Sequence, residues 1–337
     1  MSTATSIEWT DKTWNPVRGC SMVSAGCTNC YAMKQAHRFS GPDQAYDGLT
    51  ELGPQGARWT GEIRLVPDAL LQPLHWRNPR KIFVNSMSDL FHRDVPHEFL
   101  VKVFAVMALT PQHTYQILTK RPNRMQDWLS LNTLGQAVRG ESWSMLGKMP
   151  TFDHQKVTTR PWPLPNVHLG VSVEDQATAD ERIPILLETP AAVRFVSAEP
   201  LLGPVDLTRI DGAVLDPEAK GIHLDALTGG CRPETPWHLN WVVVGGESGP
   251  RARPCNVTWI RSIKDQCQAS GVPVFVKQLG ARPCVVEGSR TAKEWYANNA
   301  TAIMDDCGWI HTKDKKGGDM AEWPADLRVR EFPMVPA

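Results

Sequence analysis

The sequence predicts an α/β protein: a single TIM-like (β/α) barrel, partial or full, with long loop insertions. Three observations predict it. Short β-rich runs alternate with helical segments over most of the 337 residues. The runs are apolar almost throughout, which suits strands buried on both faces of a parallel sheet. Each run ends in polar or Gly-rich residues, where a barrel of this kind carries its chemistry. A doubly wound open sheet is the competing arrangement. Its Gly-rich dinucleotide fingerprint is missing, because "GGESG" (245–249) comes late and has another spacing.

In chain order, a first strand is expected near "SIEWT" (6–10). Six more follow: "KIFVNS" (81–86), "TYQILT" (114–119), "VHLGVS" (167–172), "VRFVSAEP" (193–200), "WVVVGG" (241–246) and "VPVFVKQ" (272–278). A helix is expected over 97–109, directly after Pro96, and another over 176–188 with its apolar residues on one side. A third, over 256–270, starts at an Asn cap and stops at Gly271. Segments 41–60, 129–165 and 206–239 are rich in Gly, Pro and polar residues and read as long insertions that wall the site or cover it. The barrel would then span 1–285, with 286–337 as an extension that wraps it.

Composition narrows the function classes. Lys plus Arg equals Asp plus Glu at 36 each, so no overall field points to nucleic acid, although a local patch is still open. The N-terminus has no basic segment followed by an apolar run, so no secretory leader is expected. No run approaches the roughly 18 apolar residues of a membrane span, so no membrane partner is expected. Eight cysteines in a chain this long do not form a disulfide scaffold, and a reducing, cytoplasmic setting follows. Thirteen tryptophans exceed what one dry core holds, which places some along loops or grooves.

The densest signal is "GCSMVSAGCTNCYA" (19–32), in which Cys20, Cys27 and Cys30 have the spacing C-x6-C-x2-C. Thiolates are soft ligands for zinc or iron. A C-x2-C pair lets two sulfurs reach one centre, and a glycine-containing turn brings in a third. A structural zinc wants four protein ligands. The nearest fourth candidate, His37, lies within the expected following helix. Three cysteines can instead hold three irons of a four-iron cluster and leave one iron open for a small molecule.

The pattern W-N-P-x-x-G-C-x6-C-x2-C-Y-A over 14–32 resembles the phage Gp37/Gp68-type family (DUF5131), placed near the radical S-adenosylmethionine (SAM) enzymes. The likeness continues through "FVNSMSDLFH" (83–92), "ILTKRP" (117–122), "GVSVEDQ" (170–176), "FVSAEPLLG" (195–203), "VVGGESG" (243–249), "FVKQLG" (275–280) and "WPADLRVREFP" (323–333), nearly the whole chain. The commonest radical SAM spacing is C-x3-C-x2-C, and the first gap here is longer. The resemblance implies a radical SAM-type barrel with a [4Fe-4S] cluster on Cys20, Cys27 and Cys30. S-adenosyl-L-methionine would chelate the open iron. An external donor such as flavodoxin or ferredoxin would supply an electron, and cleavage of SAM would yield a 5′-deoxyadenosyl radical that abstracts hydrogen from a substrate. The protein's part is to position and shield this chemistry.

Position at strand ends, together with the same resemblance, suggests roles for individual residues. Tyr31 would pack beside the cluster or the adenine, or serve as a core aromatic. Ser86, Ser88 and Asp89 occupy the position at which radical SAM enzymes often receive the SAM amino group, and Asp89 could equally cap a helix. Ser172 and Glu174 look like contacts to the SAM ribose or methionine end. Gly245, Gly246 and Glu247 would let SAM approach the backbone, or form a tight turn. Lys120 and Arg121 would grip a phosphate or carboxylate, or lie on a solvated basic turn. Glu199, between an apolar strand and Pro200, needs a partner if buried and would contact SAM or anchor substrate. Lys277 points either into the mouth or outward. Cys255, by loose analogy with spore photoproduct lyases, would donate hydrogen, or is a packed thiol.

The substrate is the least legible part. Lys120, Arg121, Arg124, Arg251 and Arg253, with Trp14, Trp162 and Trp237 near loops, supply the residue types that bind DNA or RNA by stacking and phosphate contact. The alternative to an enzyme is a zinc- or cluster-stabilised nucleic-acid-binding or phage–host interaction protein without catalysis.

Overall fold

A computed structural model describes residues 5–54, 56–147, 161–215, 221–229, 237–285, 303–304 and 308–334. Seven parallel strands form one sheet: β1 (Lys12–Trp14), β2 (Lys81–Val84), β3 (Thr114–Thr119), β4 (Val167–Val173), β5 (Val193–Ala198), β6 (Trp241–Gly245) and β7 (Val274–Gln278). Their spatial order is their order in the chain. A singly wound sheet curls toward a barrel, but β7 does not pair with β1, so the sheet is an open, partial barrel. The doubly wound alternative is excluded, since that fold reverses its strand order partway.

Register separates the two faces. Val242 and Val244 of β6 join Val196, Val274 and Val276 in the large core beneath the helices. That core also takes Leu100 and Phe104 of α2 (His97–Leu109), Ile183 and Leu186 of α5 (Gln176–Glu188), and Ile260 and Ile263 of α6 (Val257–Ala269). The alternate residues Trp241 and Val243 turn to the concave side and pack with Trp9, Phe83, Phe195 and Phe275. Ring centroids lie 4.7 Å apart for Trp9–Phe83 and 5.4 Å for Phe195–Trp241. Such tilted pairs add roughly 0.5–1.5 kcal/mol each beyond area burial. Asp175 and Asn256 cap α5 and α6, each accepting from a backbone N–H of the first turn.

Three expectations change. The segment 6–10 is a turn, and the first strand is Lys12–Trp14. Trp9 is drawn into the concave core instead, while Gln116 Nε2 donates to its carbonyl and Thr10 Oγ1 donates to the carbonyl of Lys81. The stretch after Leu129 is more than a loop: α3 (Pro122–Leu129) leads to α4 (Leu134–Leu146), which buries Leu134, Val138 and Leu146. The 41–60 stretch carries an antiparallel hairpin, Thr50–Gly53 against Gly56–Trp59. The first helix of the chain, α1 (Tyr31–His37), follows the cysteine loop directly.

The last described segment crosses the lower end of the curl. Val276 N donates to Val329 O at 2.9 Å, and Glu331 N donates to Val274 O at 3.0 Å, which covers the β7 edge. Phe332 then packs on Trp241 and Phe275, and Lys81 Nζ sits 3.5 Å from its ring centroid. Parts of the 129–165, 206–239 and 286–337 segments, including Cys231 and Cys307, lie outside the described residues.

Candidate functional site

Because all seven strands run the same way, their C-terminal ends share one rim. A cavity of about 240 Å³ opens there. Cys20, Cys27 and Cys30 line it from the loop after β1. Tyr31, Ser86, Ser88, Asp89, Lys120, Arg121, Ser172, Glu199, Glu247 and Lys277 line it as well. Trp9, Phe83 and Leu118 supply apolar wall from the concave core. Among the described residues, Cys255, Cys267 and Cys284 do not line it.

Three strand-end carboxylates hold the cysteine loop in place. Asp89 accepts from Arg121 Nη1 at 2.7 Å and from Thr119 Oγ1 at 2.8 Å. Arg121 in turn donates Nη2 to the carbonyl of Ser21 at 2.9 Å and to its hydroxyl at 2.8 Å. Its Nη1 also lies 3.8 Å from Cys20 Sγ. Glu174 is 1% exposed and accepts from Ser24 Oγ at 3.0 Å, Lys120 Nζ at 2.6 Å and Arg182 Nη1 at 3.3 Å. Glu247 accepts from Asn29 Nδ2 at 3.0 Å and from Arg253 at 2.7 Å, and Arg253 Nη1 reaches the carbonyl of Ala25 at 2.9 Å. The loop is therefore gripped at Ser21, Ser24, Ala25 and Asn29, between and beside its cysteines. Gly26 rests directly against Glu174, where a Cβ would come within 2.3 Å of Oε1.

A family model described as protein of unknown function (DUF5131) matches residues 4–310. The chain belongs to that family. No curated protein and no solved structure matches it. The DUF5131 description assigns no activity.

In this DUF5131 chain, burial and charge act together on the cysteines. Burial pushes the Cys20 thiol up to about 12, with Asp89 adding to it and Arg121 opposing. Burial also raises Cys30, against the backbone N–H groups of Met33 and Ala32 at the start of α1. Charge on Cys30 adds to the rise of Cys20, and charge on Cys27 adds to the rise of Cys30. Among the described residues no three His, Cys, Asp or Glu side chains converge as ligands of a single metal ion. His37 bonds Thr50 and does not line the cavity.

Several of the expected site residues bond within the chain. Glu174 does not line the cavity and is spent on Lys120, Arg182 and Ser24. Gly245 and Gly246 do not line it either. A Cβ on Gly246 would fall 2.3 Å from Leu279 O, so chain packing requires its bareness. Cys255 is buried outside the cavity in a short parallel pairing with Pro283. Ser86 Oγ donates to Asn15 Oδ1 at 3.2 Å, and Ser88 Oγ donates to Val17 O at 2.8 Å. Both serines thus knit the loops after β1 and β2. Tyr31 OH donates to the Ser86 carbonyl at 2.6 Å and remains half exposed. Lys277 faces inward, its Nζ 2.7 and 2.9 Å from the two Glu199 oxygens.

The basic rim is largely neutralised, because Lys120, Arg121 and Arg253 are committed to Glu174, Asp89 and Glu247. Arg124 donates to the carbonyl of Val95. Trp14 is fully buried, its Nε1 bonded to Ala69 O, so it offers no face to a base. Trp162 and Trp237 are partly buried against the main core.

Residues that sequence reasoning passed over complete the site. Arg182, inside α5 and 1% exposed, compensates Glu174. Ser24, Asn29 and Arg253 tie the loop down. Asn85, the first residue after β2, lines the cavity with a backbone φ of 58°. Asparagine tolerates that left-handed conformation better than most residues, and this was the one local signal available for it.

Proposed function

We propose that this chain is a radical SAM-type enzyme. Cys20, Cys27 and Cys30 would hold a [4Fe-4S] cluster, and the iron without a cysteine would take S-adenosyl-L-methionine. One observation carries the reading: all three cysteines line a single cavity at the C-terminal rim of a curled parallel sheet. Three soft thiolates on one cavity suit a cluster in which each binds a different metal atom, whereas a structural zinc asks for a fourth protein ligand. When bound, the pair supplies one-electron cleavage of the sulfonium and hydrogen abstraction from a substrate.

The chain's own residues would do the rest. Asp89 with Arg121, Glu174 with Ser24, and Glu247 with Asn29 and Arg253 keep the cysteine loop in register with the rim. Arg121 places a cation and an N–H beside the Cys20 sulfur and opposes the rise that burial and Asp89 impose on that thiol. Glu199 and Lys277 present an anion and a cation to the cavity and would orient a polar group of the cofactor or substrate. Trp9, Phe83 and Leu118 keep the wall dry, so that a reactive species meets substrate rather than solvent.

The test is anaerobic purification with iron and sulfide quantification, followed by reductant and SAM. Iron and sulfide at about four each per chain, with 5′-deoxyadenosine formed, is the expected result. Zinc without iron, or a loaded cluster with no cleavage of SAM, would overturn it.

A further inference from the structure

We propose that Asn85 is a ligand-reading residue, and that the floor of the cavity binds a planar group carrying a hydrogen-bond donor and an acceptor side by side. A primary carboxamide or the amino edge of a heterocycle has this chemistry. The inference deepens the reading above by naming what one part of the cavity recognises, but it does not depend on the cluster.

The observation is an unmet demand. Asn85 is 3% exposed. Neither Nδ2 nor Oδ1 has a hydrogen-bond partner among the described residues. Burying an amide without partners is costly, and native structures seldom leave both of its polar atoms unmatched. Its backbone is fully used, with N donating to Trp14 O at 2.7 Å and the carbonyl accepting from Ser88 N at 3.2 Å, so the side chain is the only part left over. The residue lines the cavity that also holds Phe83, Leu118 and Trp9, apolar surfaces suited to the faces of a flat ring. The polar side chains that follow it on the loop are spoken for: Ser86 bonds Asn15, Ser88 bonds Val17, and Asp89 bonds Arg121, while Trp9 Nε1 on the same cavity lining is a second buried donor without a partner among the described residues.

An asparagine amide offers one donor and one acceptor on a single edge, so it pairs best with a group offering the reverse. Asparagine reads adenine in this bidentate way. A carboxylate, with acceptors only, would satisfy Nδ2 and leave Oδ1 facing another acceptor. The bland explanation is conformational: φ of 58° calls for Asn or Gly whatever the side chain does. The two explanations part at one substitution. Glycine meets the backbone demand fully and removes the amide.

The experiment uses the full-length chain, anaerobically purified, as wild type and as Asn85→Gly. Ligand-observed NMR with nicotinamide and adenine probes the two sources of the edge. Benzoate supplies acceptors only and aniline supplies a donor only. Wild type should bind nicotinamide or adenine at least tenfold more tightly than benzoate and aniline, and whichever binds identifies the source. Asn85→Gly should lose that preference at least tenfold while melting at the same temperature or higher. Three results would overturn the inference: no preference in wild type, which leaves only water on the amide; equal binding by Asn85→Gly; or a lower melting temperature for Asn85→Gly with binding intact. Iron content is measured on the same samples. Iron-free protein that still shows the Asn85-dependent preference would count against the cluster and not against this subsite.

Discussion

Gly26→Ala is the sharpest test of how the cysteine loop is seated. The added Cβ would stand 2.3 Å from Glu174 Oε1 and 2.7 Å from its Cδ and Cγ. Ordinary carbon contacts begin near 3.5 Å, so something must move by about 1 Å. Glu174 cannot yield easily, since Lys120, Arg182 and Ser24 fix it. The loop must therefore lift, and it carries Cys27 with it. Overpacking of this kind costs roughly 1–3 kcal/mol. With a urea slope of about 3 kcal/mol/M, the unfolding midpoint should fall by about 0.3–1 M. The same sample should bind less iron per chain than wild type. Unchanged midpoint and unchanged iron would show that the loop is not pressed against Glu174.

Further outcomes follow from the same contacts. Arg182→Ala leaves the buried Glu174 with one cation fewer and should cost about 3–5 kcal/mol in urea unfolding, far more than a surface arginine. His168 is buried on the concave side, and burial lowers its imidazole to about 4. The unfolded chain binds that proton near 6.5, so stability is retained above pH 6.5 and lost as pH falls toward 4, on the order of 3 kcal/mol. His168→Leu should flatten that limb of a stability–pH curve. Burial tends to raise the Glu247 carboxyl, but hydrogen bonds from Arg253 and Asn29 outweigh it and hold it below its usual value. Its contribution is present above the unfolded pKa of about 4.3 and lost as pH falls through the lower folded value. Glu247→Gln should remove that acid-side loss while weakening the grip on Asn29 and lowering iron retention.

Much of the fold was legible because parallel strands buried on both faces leave continuous apolar runs. Six of the seven strands overlap such runs. The exception, Lys12–Trp14, is three residues long and has no pattern to read, while Trp9, inside the run expected as the first strand, fills the concave core from a turn. Helix Leu134–Leu146 was hidden by its glycines, Gly135 and Gly140, and is held by tertiary burial of Leu134, Val138 and Leu146. At the site, the cysteine triplet and the strand-end charges stood out locally. Their pairings did not, because Arg121 with Ser21, Glu174 with Ser24 and Glu247 with Asn29 join positions 100, 150 and 218 residues apart. Arg182 lay in a helix that looked ordinary, and only its depth shows that it compensates Glu174.

The most direct measurement of the central claim is Mössbauer spectroscopy on iron-57-loaded protein before and after SAM. A four-iron cluster with one distinct iron whose signal shifts when SAM binds is the predicted result. Four equivalent irons unmoved by SAM, or a fully cysteine-ligated or zinc-only site, would contradict it.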